Sequence, residues 1–327
     1  MGNGNGFFTM LRLLAAAGLA AAAFGALAQS YPSRPIRILV PFSVGTPPDI
    51  VSRIVSERLQ AALGQTIIVE NRTGATGTIA MSELARQPAD GYTALTMPMP
   101  LAVAPALYPN FALDVRKDFE PVGQMVWSYN ALVVHPSVPA MSVKQLVDLL
   151  RQKPGQLSFA SGGNGTPAHL AGELFKQQTG ISAIHVPYVQ FPQAVGDVVA
   201  GRVQFMFIAT GTAIPQIAAG KMRALAVTGP SRVAALEDVP TMTQEGFPDF
   251  VVRDWQGLIV RAGTPREIVG RLNAELGKVM ALAEVHAALA KLGNEPAHGT
   301  PQQLGALINS EVERWARVVQ AAGIKID

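Results

Sequence analysis

Short apolar runs that suit buried strands alternate along this chain with stretches in which apolar residues recur at helical spacing. This alternation predicts an α/β protein. The strand-like runs are residues 36–42, 66–70, 92–97, 118–124, 131–135, 157–161, 183–188, 203–209, 223–228 and 256–260. The helical stretches are residues 47–63, 78–86, 142–152, 166–178, 192–201, 213–220, 265–282, 283–292 and 301–322.

The order of these elements predicts two lobes. Three N-terminal strands make a thin sheet, and the C-terminal strand and helices need a surface to cover. We therefore expect residues 29–129 and 252–327 to form domain 1 and residues 130–251 to form domain 2. Two chain crossings would then act as a hinge between two doubly wound sheets, with a ligand cleft between the lobes.

The tripeptide Gly-Thr-Pro occurs four times, beginning at Gly45, Gly165, Gly263 and Gly299, and each copy opens a helical stretch. Threonine is a good N-cap residue, and proline is favoured at the first helical position. The first three copies also follow strand-like runs, so each turn directs free N–H groups and a positive dipole end at one spot. We expect two of these turns to face each other across the cleft and to hold a small carboxylate.

Residues 41–49 form the first candidate loop. Gly45 lets a ligand approach the backbone, and Ser43 and Thr46 offer hydroxyl groups. Asp49, in the first helical turn, is expected to bond free N–H groups and to do no chemistry. The alternative is an ordinary strand–helix connection with a threonine cap.

Residues 71–78 form the second candidate loop. Gly74 and Gly77 follow a strand, as in half of a dinucleotide fingerprint, but the full G-x-G-x-x-G spacing and the Lys-Ser/Thr of a P-loop are missing. We expect this segment to form a wall of an anion pocket at a sheet edge.

Residues 161–169 mirror the first loop in the second domain. Three glycines within four positions leave backbone amides exposed for an anion. His169 and Tyr188 are candidate ligand contacts, with packed structural residues as the alternative for each. The predicted ligand-binding residues are Phe42, Ser43, Val44, Gly45, Thr46, Gly74, Ala75, Thr76, Gly77, Pro98, Ser161, Asn164, Gly165, Thr166, His169, Tyr188, Thr210 and Gly211.

The composition narrows the chemistry further. The absence of cysteine excludes disulfides, thiolate metal sites and cysteine nucleophiles. The formal net charge of +3 and the scattered basic residues argue against nucleic-acid binding. The five histidines lack metal-ligand spacing, and no G-x-S-x-G elbow occurs. Rich loops without a nucleophile, base or metal ligand favour a binding site over an active site, with no metal and no cofactor.

The N-terminal residues 1–28 are typical of a secretory signal. Residues 13–24 form an apolar run that is short for a membrane span, and Ala26-Leu27-Ala28 supplies a small-x-small cleavage pattern. We expect cleavage near Ala28–Gln29 and a periplasmic location. A retained N-terminal anchor is the alternative, and Met10 is an alternative start.

Taken in order, several short motifs resemble the Bug family of extracytoplasmic solute receptors, which serve tripartite tricarboxylate transporters. They are YPSRPI at 31–36, Pro41-Phe42 with Gly45 and Asp49, VENR at 69–72, DGYT at 90–93, NGT at 164–166, HLAGELF at 169–175, HVPY at 185–188, LAVT at 225–228 and AGTP at 262–265. The resemblance covers the chain from about residue 31 to its end.

This resemblance implies a two-lobed periplasmic binding protein fold, similar to type II. It also implies a carboxylate held by loop amides, hydroxyls and waters, and integral-membrane permease subunits as partners. We expect a monomer that is not an enzyme and that delivers a small organic acid to the permease. The alternatives are a ligand sensor feeding a membrane kinase and an enzyme acting on a carboxylic acid.

The chain departs from the family pattern in three places. Thr46 replaces the second of two adjacent glycines, Ile208 stands where an aspartate often follows the strand ending at Phe207, and residues 97–100 are more apolar than expected. Loss of an acid would remove a partner for a ligand ammonium group. We therefore expect a non-amino, partly apolar carboxylic acid as the ligand.

Overall fold

The computed structural model describes residues 31–108, 110–250 and 252–324, so the predicted signal peptide lies outside the described residues. The strands are β1 Ile36–Val40, β2 Ile67–Asn71, β3 Thr93–Pro98, β4 Phe119–Val134, β5 Ser158–Ser161, β6 Ile184–Pro187, β7 Phe205–Ala209, β8 Arg223–Val227, β9 Arg253–Arg261 and β10 Glu295–Pro296. The helices are α1 Pro47–Leu63, α2 Thr78–Ala85, α3 Pro100–Leu107, α4 Val143–Gln152, α5 Pro167–Thr179, α6 Phe191–Val199, α7 Thr210–Ala218, α8 Arg266–Met280, α9 Ala283–Ala290 and α10 Pro301–Ala322.

Two sheets share one long strand, β4. In the first sheet the order is β2-β1-β3-β9-β4, with β10 on the far side of β4. The strands β2, β1 and β3 are parallel, and β9 runs antiparallel to both β3 and β4. The second sheet has the order β6-β5-β7-β4-β8, in which β5 is parallel to its two neighbours.

Helices cover both faces of each sheet, which makes the α/β prediction correct. In the first lobe, α1, α8 and α9 bury one face, while α2, α3 and α10 cover the other. In the second lobe, α6 and α7 pack on one face and α4 and α5 on the opposite face. The helix α10 packs on α3, β4 and α5, so its apolar side chains contribute to both lobes.

Two local predictions were wrong. The segments 118–124 and 131–135 were expected to be separate strands, but β4 runs continuously from Phe119 to Val134. The helix α3 was not among the predicted helices, although it lies between two predicted strands. Pro100 occupies a first-turn position, where no backbone N–H is needed, and Pro105 lies close to the end of the helix.

The chain crosses between the sheets at two adjacent points. The strand β4 pairs with β9 as far as Tyr129 and with β7 from Asn130 onward. The Thr228 hydroxyl donates to the Val252 carbonyl at 2.7 Å and accepts from the Asn130 N–H at 3.0 Å. One buried side chain thus links the two crossings. Among the described residues, no helix is both long and apolar enough to cross a membrane.

Candidate ligand-binding cleft

The cleft between the lobes lies at the carboxyl ends of the parallel strands. Loops that follow β1, β2 and β3 enter it from the first lobe, and loops that follow β5, β6 and β7 enter it from the second. Open α/β sheets bind ligands at this edge, where neighbouring loops diverge and leave a crevice.

The cleft has two connected parts. The inner cavity has a volume of about 110 Å³ and the outer cleft about 500 Å³. Both parts contact Phe42, Gly162 and Thr166. The inner walls are mostly apolar: Phe42, Pro47, Pro48, Pro98, Pro100, Ala168, Phe191, Phe207 and Ala209.

Asp49 holds the first loop in place. Its Oδ2 accepts from the Gly45 N–H at 2.9 Å, and its Oδ1 accepts from Asn71 Nδ2 at 2.9 Å and from Arg53. Burial would raise the pKa of Asp49, but these hydrogen bonds, with Arg53 foremost, lower it below its usual range. The expectation that Asp49 bonds a free N–H group is confirmed.

His169 takes the corresponding position in the loop of residues 161–169. Its Nδ1 accepts from the Gly165 N–H at 3.1 Å, four residues earlier in the chain, as Asp49 does for Gly45. The ring stacks on His185 with centroids 4.0 Å apart, and His185 Nε2 lies 2.7 Å from Ser161 Oγ. Burial lowers the pKa of His169 to about 3 and that of His185 to about 4. Both imidazoles are therefore neutral at pH 7.

The threonines of the repeated tripeptide do not all cap their helices in the expected way. Thr46 Oγ1 donates to the Ser43 carbonyl at 2.6 Å, and Thr166 Oγ1 donates to the Gly163 carbonyl at 2.7 Å. In the fourth copy, Thr300 forms a full capping box with Gln303. In the first two copies the threonine hydroxyl therefore donates to a carbonyl of its own turn, and its proton is not free to bond a ligand.

The loop of residues 71–78 has an unusual backbone. Gly74, Ala75, Thr76 and Gly77 all have positive φ, at 125°, 45°, 53° and 92°. Positive φ in a residue with a Cβ is strained, and such strain gathers at ligand-binding sites. Thr76 Oγ1 lies 3.0 Å from the Tyr108 hydroxyl, which helps to hold the turn.

Unused backbone N–H groups from three loops surround the outer cleft. Among the described residues, no hydrogen bond uses the amide N–H of Ser43, Gly74, Ala75, Gly162 or Asn164. Within that same part of the chain, neither region of the cleft is lined by lysine or arginine. No group of three side chains suited to a metal ion occurs there either. The polar character of the outer cleft therefore comes mainly from peptide dipoles and hydroxyl groups.

Eleven of the eighteen predicted site residues line the cleft. They are Phe42, Ser43, Thr46, Gly74, Ala75, Thr76, Gly77, Pro98, Asn164, Thr166 and Tyr188. The Tyr188 hydroxyl donates to Asp197 at 2.6 Å, and burial together with this bond raises the pKa of Tyr188 to about 12.

The other seven predicted residues lie outside the cleft lining: Val44, Gly45, Ser161, Gly165, His169, Thr210 and Gly211. Gly45, Ser161, Gly165 and His169 lie within or behind the turns and shape them. Val44 is 72% exposed. The buried Thr210 donates to the Gly293 carbonyl at 3.2 Å, and Gly211 lies against Leu292, so this pair belongs to a contact between the lobes.

Sequence reasoning missed Asn130, Phe191, Phe207 and Asp254 of the inner cavity. Ile208, which stands where the family pattern often has an aspartate, is buried in the core of the second lobe, whereas the acid Asp254 lines the inner cavity. Side chains alternate along a strand, so Phe207 and its neighbour Ile208 point to opposite faces of β7. The strand predicted at residues 256–260 begins in the structure at Arg253, and Asp254 lies in this added part of β9. Residues 253 and 254 are both charged, so the apolar pattern did not indicate a strand there.

Two α/β lobes joined by paired crossings, with a cleft at the carboxyl ends of their strands, define a solute-binding receptor of the periplasmic binding type. The family model described as tripartite tricarboxylate transporter family receptor matches residues 51–324. The chain belongs to this family, which includes the Bug proteins, as the motifs indicated.

Similar proteins support the same assignment. Protein BugT of Bordetella pertussis is 35% identical over 97% of this chain and 99% of its own length. Rpa4515 of Rhodopseudomonas palustris, solved with adipate, is 33% identical with a TM-score of 0.84, over 90% of this chain and 99% of that one. MatC of the same organism, solved with bound malate, is 29% identical with a TM-score of 0.80, and the match covers 88% of this chain and 100% of that one.

Proposed function

We propose that this protein is a periplasmic receptor that binds a small organic carboxylate in the cleft and delivers it to a membrane permease. The observation that carries the proposal is the set of unused backbone N–H groups from three loops, in a cleft whose described lining has no lysine or arginine. Peptide N–H groups at loop and helix ends bind anions without a charged side chain. The adipate and malate of the two Rhodopseudomonas proteins are carboxylates of suitable size.

The lobes act as a clamp in this proposal. Gly165 of the second lobe lies against Leu107 and Thr76 of the first, so that the two walls touch beside the outer cleft. A ligand that bonds to both walls stabilises this closed arrangement by its greater affinity for it. Each hydrogen bond to a carboxylate is expected to contribute about 1.5–3 kcal/mol, so four or five bonds, less ordering costs, suit micromolar binding.

The hinge in this proposal consists of the two crossings. We assign residues 29–129 and 252–327 to one domain and 130–251 to the other. The change of pairing partner between Tyr129 and Asn130, and the Thr228 hydrogen bonds to Asn130 and Val252, support these boundaries. Small changes in φ and ψ at adjacent crossings would turn one lobe against the other.

A thermal-shift and calorimetric screen of the mature chain, residues 29–327, tests ligand binding. Carboxylic acids should raise the melting temperature, and the matched primary carboxamides, benzamide against benzoate and adipamide against adipate, should not. Because peptide dipoles are expected to hold the anion, affinity should depend only weakly on ionic strength. Equal binding of acids and amides, or a liganded crystal with the anion held by arginine or lysine, would disprove the proposed mode of binding.

Delivery to a permease needs a separate test. A bacterial strain that lacks the receptor should lose uptake of the identified acid and regain it with the wild-type chain. If the acid binds tightly in solution but uptake does not depend on the receptor, the transport half of the proposal is wrong. In that case the binding half still stands.

A further inference from the structure

Two polar side chains of the inner cavity take no part in the carboxylate site described above. Asn130 lies on β4 at the crossing and is 4% exposed, and its Nδ2 has no hydrogen-bond partner among the described residues. Asp254 lies on β9, half-buried, and its Oδ1 accepts from the N–H of the next residue, Trp255, at 2.9 Å. Both side chains line the same cavity.

A buried amide N–H without a hydrogen-bond partner lowers stability, so Asn130 Nδ2 needs a ligand or a water molecule as its acceptor. The surrounding walls are apolar, since prolines, phenylalanines and alanines make up most of the lining. Burial raises the pKa of Asp254 to about 7, against the opposing effect of the Trp255 and Met99 N–H groups. This part of the cleft therefore disfavours charge while offering both a hydrogen-bond donor and an acceptor.

Four kinds of ligand terminus can be compared on this basis. An apolar end leaves Asn130 Nδ2 without a partner and brings no donor to Asp254. A second carboxylate only accepts and has the same sign of charge as ionised Asp254, and an ammonium group only donates. Both ions would also lose much of their hydration among the apolar walls. A hydroxyl group is neutral and both donates and accepts.

We propose that Asn130 and Asp254 form a subsite for a hydroxyl group at the far end of the bound carboxylic acid. The proposal rests on the proposed function, because the carboxylate is held in the outer cleft. The inner cavity, at about 110 Å³, suits a single ring or a short carbon chain between the two ends of the ligand. An apolar cavity of about 150 Å³ accommodates benzene in another protein. The ligand class is thus a hydroxylated aromatic or medium-chain acid.

Matched ligand pairs test this subsite on the unmodified mature chain by calorimetry. The pairs are 4-hydroxybenzoate with benzoate and 6-hydroxyhexanoate with hexanoate. Terephthalate, adipate and 4-(aminomethyl)benzoate supply the charged termini. In at least one pair the hydroxylated acid should bind at least tenfold more tightly than the acid without the hydroxyl group. It should also bind at least tenfold more tightly than the acid that has the same ring or carbon chain and a charged end.

A variant pair locates the preference. Asp254→Asn should reduce the hydroxyl preference to less than threefold. The control Asp249→Asn, at an exposed acid outside the cleft, should leave it unchanged. A melting temperature close to that of the wild type in both variants separates loss of the subsite from loss of the fold.

The possible outcomes distinguish the two proposals. Binding of the acids without a hydroxyl preference in either pair, or with a preference for a charged terminus, overturns the subsite and leaves the carboxylate receptor intact. A preference that survives Asp254→Asn also overturns it. Absence of binding by every acid rejects the proposed function and the subsite together.

Discussion

Gly165→Ala is expected to weaken ligand binding by opposing closure of the lobes. Gly165 has φ of 76°, and a Cβ built on it would overlap Leu107 Cδ1 of the other lobe. The left-handed backbone costs about 1–2 kcal/mol in open and closed forms alike. The overlap exists only when the lobes meet, and an overpacked contact costs about 1–3 kcal/mol. That second cost should reduce affinity about 5- to 150-fold.

Gly180→Ala is the matched control. Gly180 ends the same helix, α5, with φ of 65°, but no atom lies within 4 Å of the position that its Cβ would take. Both variants should lose similar stability in chemical denaturation, and only Gly165→Ala should lose affinity in calorimetry. Adding Leu107→Ala to Gly165→Ala removes the overlapping atoms and should restore much of the affinity. Equal affinities for the two glycine variants would refute the closed-clamp argument.

Three further substitutions test the supports of the cleft. Asp49→Ala should lower the free energy of unfolding by about 1.5–3 kcal/mol in chemical denaturation, because it frees the Gly45 N–H and leaves Arg53 without its buried partner. The control Asp90→Ala removes a more exposed ion pair and should lower the free energy of unfolding by less than about 1 kcal/mol. Thr228→Val removes the hydroxyl that links the two crossings and should cost about 1–3 kcal/mol, whereas Thr243→Val on the surface should cost little; similar losses would count against the hinge assignment. The pKa of His169 is about 3 in the folded wild type and about 6.5 in the unfolded chain, so acid protonates the unfolded state first and destabilises the fold. Lowering the pH from 7 to 5 should therefore reduce the free energy of unfolding of His169→Gln by about 2 kcal/mol less than that of the wild type. Identical pH profiles for the two proteins would show that His169 is not held neutral by burial.

Helix starts were the part of the fold that the sequence predicted best. The proline of Gly-Thr-Pro marks the first residues of α1, α5 and α10, and those starts agree with the structure. Proline and glycine act through local backbone geometry, so their signals survive without knowledge of the tertiary contacts. The sequence left residues 125–130 of β4 between two predicted strands, because Ser128 and Asn130 interrupt the apolar run there with polar side chains. In the structure this segment includes the point where β4 changes its pairing partner from β9 to β7.

The site was only partly predictable, because some of its residues are brought together by tertiary contacts that local sequence signals do not show. Residues that follow strands, such as Ser43 and Gly74, were placed near the cleft because parallel strands bring their carboxyl ends to one edge. Gly45 and Gly165 were predicted to contact the ligand, but a side chain four residues later accepts the N–H of each. Asp254 joins the cavity through the antiparallel pairing of β9 with β3 and β4, which one strand alone does not reveal.

The two mirrored turns use different acceptors, and the difference follows from their surroundings. Asp49 can stay ionised because Arg53, nearly half exposed, pairs with it. His169 lies in the interior, stacked on His185, where an ionised acceptor would need a buried cation. A neutral imidazole accepts the Gly165 N–H without adding a negative charge behind the anion site. Protonation of Nδ1 would break that hydrogen bond, so any gain in attraction for a carboxylate would come with a loosened loop. The second turn therefore keeps its shape only while His169 remains uncharged.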